Sequence, residues 1–113
     1  MIVRNAESVT GHPVSEGGAE GVTFRMVIGE ADDAPSFCMR HFTVAPGGRT
    51  PRHQHAWEHE VYVLAGRPTV WTEQGERELA PGDAALIAPD ELHQFQNRTY
   101  EDVEFLCLVP RTD

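Results

Sequence analysis

The sequence predicts an all-β domain, and three observations carry that expectation. From residue 22 onward the chain is a succession of short runs rich in Val, Phe, Tyr, Trp and Thr, residues that fit a pleated, half-buried surface. Between the runs stand ADDAP, APGG, AGRP, EQGE, APGD and APDE, where Gly, Pro and Asp supply the chemistry of tight turns. No stretch of about 11 residues or more repeats its apolar positions at the helical period. Eight or nine such runs at close, even spacing suggest a sandwich or barrel of antiparallel strands.

Taken in order, residues 1–20 hold few apolar side chains and end in the Gly-rich segment SEGGAEG, which reads as an arm or flexible lead-in that can pair as an edge strand. VTFRMVI opens the expected barrel, residues 22–109, and its apolar content exceeds what a loose arm needs. SFCMRHFTV follows, then TPRHQH, WEHEVYVLAG, PTVWTE, RELA, DAALIA, HQFQN and VEFLCLV. Alternation places Val61, Val63, Leu86 and Phe95 in the lining or core, and leaves Trp57 and Tyr62 for a subunit surface. With 113 residues the chain fits one domain, residues 1–113, with room for a single core.

Composition removes several classes of function. A formal charge of −9 without a basic cluster argues against tracking a nucleic-acid backbone. All nine basic residues are arginine, so an internal Schiff base or lysine-held pyridoxal phosphate is excluded. No apolar run is long enough to cross a bilayer, and MIVRNAESVTGHPV lacks a signal-peptide core, which leads us to expect a cytoplasmic protein. Cys38 and Cys107 show no C-x-x-C spacing and read as buried small hydrophobes rather than a disulfide.

The chemistry concentrates in HQHAWEHEVYVLAGRP, residues 53–68. Side chains two apart on a strand share a face, so His53 and His55 can aim at a common point, although such a pair also occurs on solvated edges. If the chain turns at Ala56 and Trp57 and returns as a strand, His59 has the same parity and faces inward beside them. A metal site needs a ligand from elsewhere, and His93 in PDELHQFQN is the candidate, sharing a face with Phe95 and Asn97. Four neutral imidazoles would leave a position on the ion open, as catalytic sites do. His12 reads as a surface residue, and His41 either lines a pocket or faces solvent.

The order PGG, H-x-H, V-Y-V-L-x-G, P-G-D and P-x-x-x-H-x-x-x-N resembles the two motifs of the cupins. The first motif runs from Gly47 through His53, His55 and His59 to Gly66, and the second from Pro81, Gly82 and Asp83 through Pro89 to His93 and Asn97. The resemblance implies a double-stranded β-helix, the jelly-roll barrel of antiparallel strands. Where the family's commoner motif carries a glutamate ligand, this sequence has His59, with Glu58 and Glu60 on either side as the alternatives. It thus resembles the small cupins with four histidine ligands, in which manganese is the reported metal, and the ligand role passes to His53, His55, His59 and His93. PDELH is one residue shorter than the family's usual spacing and lacks its glycine, which puts the turn before His93 in question.

An ion held by neutral imidazoles keeps its full charge, so the site should favour a small anionic, chelating ligand. Ligand preference alone leans to zinc, nickel, iron or copper, whereas the resemblance implies manganese, with nickel, iron or zinc as the other candidates. The expectation is a metal-dependent enzyme, dioxygenase-like or decarboxylase-like, acting on a small carboxylate or enolic compound. Its alternative is a non-catalytic sensor or storage module, because no general acid, base or nucleophile is identifiable beyond Glu58 and Glu60. Isomerase chemistry of the sugar-nucleotide type is a third reading, weakened by spending the histidines as ligands. The resemblance also implies a homodimer built through sheet faces and exchanged N-terminal strands. Which of Met39, Arg40, His41, Trp71 and Cys107 face the cavity is left open, and an inward Arg40 would suit a carboxylate.

Overall fold

The computed structural model describes residues 1–112. Its strands are β1 (His12–Val14), β2 (Glu20–Ile28), β3 (Phe37–Arg49), β4 (His59–Ala65), β5 (Thr69–Thr72), β6 (Gly75–Glu78), β7 (Ala84–Ile87), β8 (His93–Gln96) and β9 (Val103–Pro110), with short 3-10 turns at Ala6–Ser8 and Glu30–Asp32. All pairings are antiparallel, in the order β6-β5-β8-β3-β9-β4-β7, with β2 on β3 and β1 on β2. The sheet curls on itself, and the all-β expectation holds.

β3 makes the curl possible. Its first part lies between β2 and β9, with Phe42 opposite Phe24 on one side and Phe105 on the other. Its last residue, Arg49, pairs instead with Gln96 of β8. Between them lies APGG, expected as a turn and found inside the strand as an irregularity: the β2 register jumps from Val44 to Arg49. Gly47 adopts φ +78°, a backbone that L side chains resist, and so lets one strand bend from one wall to the other.

The inward faces of both walls form the core: Val22, Val44, Val61, Val63, Ile87, Phe95, Val103 and Phe105 are buried. Phe105 is its hub, with ring centroids 5.3 Å from Phe42 and 5.0 Å from Phe95. Val61 and Val63 alternate with exposed Glu60, Tyr62 and Leu64, as a half-buried strand must. Leu86 corrects the lining expectation: it is 67% exposed, because it pairs with outward-facing Glu60. Asn97 is buried and ties the strand end, donating from Nδ2 to the carbonyls of Val44 and Glu101 at 2.9 and 2.7 Å.

Other boundaries moved. TPRHQH is irregular except for a single bridge at His53, and the strand expected at RELA is Gly75–Glu78. The N-terminal arm is ordered as a 3-10 turn and the edge strand β1. Cys38 and Cys107 are buried and not disulfide-bonded.

Candidate metal centre

Each candidate ligand is placed by a different device. His53 exchanges both backbone bonds with His93, at 3.1 and 3.0 Å, which locks the 50s loop to the start of β8. His55 lies two residues on, its carbonyl accepting from the Asp90 N–H at 2.6 Å, and its ring stacks 4.9 Å from Trp57 at 6°. The chain bends at Ala56 and Trp57, so His59 enters β4 as its first residue. The shortened PDELH turn works without the family's glycine because Asp90 itself adopts φ +62° and Glu91 Oε1 accepts from the Ala88 N–H. Trp57 is thus a neighbour of a candidate ligand.

The four rings close a quadrilateral. Its sides, 53–55, 55–59, 59–93 and 93–53, measure 4.3, 4.8, 5.2 and 5.0 Å between centroids, and its diagonals 6.5 and 6.2 Å. Half of either diagonal is a little over 3 Å. That equals an imidazole–metal bond of about 2.1 Å plus the reach from ring nitrogen to centroid, so ring positions fit one central ion. Ring orientations do not yet follow. Among the described residues no three His, Cys, Asp or Glu side chains are set to grip a metal as they stand. Rotation about χ2, whose well is broad, turns an imidazole's nitrogens while its centroid stays put.

Burial favours the neutral form of His53, His55 and His59. It lowers His59 to about 3 and His53 to about 4, with help from Arg40 and the neighbouring imidazoles, and lowers His55 in the same way. His93 Nδ1 donates to the Glu91 carbonyl at 2.7 Å, which leaves its Nε2 lone pair free. His59 Nε2 is buried without any hydrogen-bond partner. Neutral rings and a free lone pair are the donor chemistry that a divalent ion uses, and the orphaned His59 Nε2 has no protein partner to give up.

Behind the rings lies a cavity of about 50 Å³ walled by Arg40, Phe42, Phe95, Phe105 and Cys107, with no carboxylate in its lining. Of the five residues left open by the sequence, Arg40 and Cys107 face it; Met39, His41 and Trp71 do not. His41 is buried on the other face, its Nε2 3.1 Å from Glu104 Oε1, and Trp71 packs under the Arg52 guanidinium at 3.8 Å. His12 is exposed. A wider hollow between β6 and β7 contains no imidazole. Sequence reasoning missed the contact of Arg40 with His59 and Cys107, which arises because β3 and β9 pair Arg40 with Cys107. The signal available was the shared parity of Cys38, Arg40, Phe42 and Val44.

A curled antiparallel jelly roll with imidazoles gathered from an H-x-H loop and a later strand defines a double-stranded β-helix protein. The chain belongs to the cupin domain family, whose model matches residues 40–109. Its structure is similar to that of the polyketide cyclase RemF from Streptomyces resistomycificus, at 36% identity and TM-score 0.93, covering 99% of this chain and 80% of that one. It shares its fold with a predicted oxalate decarboxylase from Thermotoga maritima, at 22% identity and TM-score 0.86 over 99% of this chain and all of that one (100%). A segment of 58 residues, 51% of this chain, is 38% identical to auxin-binding protein T92 of Nicotiana tabacum, of which it spans 28%. No helix among the described residues is long and apolar enough to cross a membrane.

Proposed function

We propose that this cupin is a metal-dependent enzyme acting on a small carboxylate or enolic compound, with His53, His55, His59 and His93 holding one divalent ion. The observation that carries the reading is the closed quadrilateral of imidazoles beside a cavity without a carboxylate. A bound ion would supply Lewis-acid polarisation of a substrate oxygen and a template for its orientation. The all-nitrogen donor set ranks nickel, iron and zinc ahead of manganese, while the resemblance to four-histidine cupins ranks manganese first.

Likeness to a polyketide cyclase favours enolate chemistry and ring closure on an oxygen-rich compound. Decarboxylation fits less well, because no acid faces the cavity to deliver a proton: Glu58 and Glu60 are exposed and border a separate hollow with Phe37 and Pro110. A cavity of about 50 Å³ admits only a few heavy atoms, which favours a second reading: a module that binds a metal and a small anion without turnover. Pairing of two copies through a sheet face suits the exposed Tyr62, Leu64 and Leu86 on β4 and β7; a monomeric peak by light scattering would remove it.

Elemental analysis of the purified protein beside a His53→Ala, His55→Ala double variant is the first test. Near one equivalent of metal, lost in the variant, sustains the site. No metal in either protein after reloading sinks the reading. Turnover and O₂ consumption with oxalate, a flavonol and acetylacetone then separate an enzyme from a binding module.

A further inference from the structure

Arg40 is the one arginine walling the cavity, and its partners are poor. Four surface arginines, Arg4, Arg49, Arg67 and Arg98, each meet a carboxylate. Arg40 meets none among the described ion pairs. Its Nη2 donates to Cys107 Sγ at 2.9 Å, a weak acceptor, and stands 3.3 Å from His59 Nδ1. Its Nε–H is buried with no acceptor. A guanidinium carries five donors in a planar fork, and taking it out of water without an anion is costly. Phe42 lies 5.3 Å from its carbon and supports it from the side.

Charge sharpens the case. An ion in the imidazole quadrilateral adds two positive charges beside the guanidinium, and no carboxylate lines the cavity to balance them. The missing partner is therefore an anion with two oxygens, matched to both the fork and the metal.

The contact with His59 gives that anion a second consequence. Arg40 can only donate, so while it sits on Nδ1 that nitrogen offers its lone pair and the ring proton resides on Nε2, where no partner receives it. Drawn off by an anion, Arg40 would free Nδ1 to carry the proton towards Cys107 Sγ, 3.2 Å away, and would turn the Nε2 lone pair towards the other imidazoles.

We infer that Arg40 is the specificity-determining residue of the cavity: it binds a carboxylate or enolate oxygen of the compound, and in leaving His59 it lets that ring join the metal site. This rests on the metal-dependent reading above for its second half alone. By linkage, anion and metal should each tighten the other.

The test uses oxalate as probe, with affinity by calorimetry and metal by elemental analysis, on wild type, Arg40→Gln and Arg40→Lys. The expected result is metal content no lower than in wild type, because His59 is released, and a loss of oxalate affinity of roughly tenfold or more in Arg40→Gln, with a smaller loss in Arg40→Lys, which keeps the charge without the fork. A loss below about threefold in Arg40→Gln overturns the inference. Should that variant fail to fold, the same threshold applies to Arg40→Lys. If wild type takes no metal, the comparison is made on the metal-free chain. There, Arg40-dependent binding sustains the anion seat and refutes the metal reading alone, while absence of oxalate binding in every form overturns the seat itself.

Discussion

His41 and His59 are both buried imidazoles attached to the same curled sheet, at 6% and 5% exposure, and they have opposite company. His41 faces the outer side and meets the carboxylate of Glu104, itself partly in water. His59 faces the inner side among three other imidazoles, a guanidinium and a thiol, and burial holds it at about 3. A carboxylate partner makes a buried histidine part of the fold. Its absence, repeated over several rings, gathers imidazoles around a cavity that no carboxylate lines.

That contrast can be broken at four points. The largest expected effect is on metal: His59→Ala should bring metal content by elemental analysis to near zero, while His41→Ala keeps it. Next, Phe105→Ala beneath the cavity should cost about 3–5 kcal/mol by urea unfolding, since it removes the ring on which Phe42 and Phe95 pack.

Third comes pH. His53 sits at about 4 and His59 at about 3 in the fold, against ~6.5 in the unfolded chain, which therefore takes up protons first. Stability of the metal-free protein should be fullest above pH ~6.5 and fall as pH drops through that value towards 3, with a shallower fall in His59→Ala; a series of urea midpoints reads the slope. Smallest is Glu104→Gln, expected to cost no more than about 1 kcal/mol because Glu104 is 43% exposed at its side chain.

Much of this was legible in the chain and some was not. The strand runs and the two histidine motifs could be read because alternation and turn chemistry are local. The strand at TPRHQH could not: its one bridge, His53 to His93, is a contact across 40 positions of sequence, and the rest of the segment is held by the loop before β8. APGG reads as a turn by composition, yet a neighbouring strand on each side kept it in β3. Leu86 alternates like a core residue and lies outside, because its partner on β4 is Glu60.

By itself the sequence determined an antiparallel all-β chain and which residues are rich in imidazole, since the pleat and the turn preferences act over a few bonds. The tertiary structure decided which face each side chain occupies, that four rings surround one point, and that Arg40 ends beside His59 and Cys107 with no carboxylate to answer it. Those outcomes depend on the register of β3 against β9 and on the bend at Gly47, which are set by packing across the whole barrel.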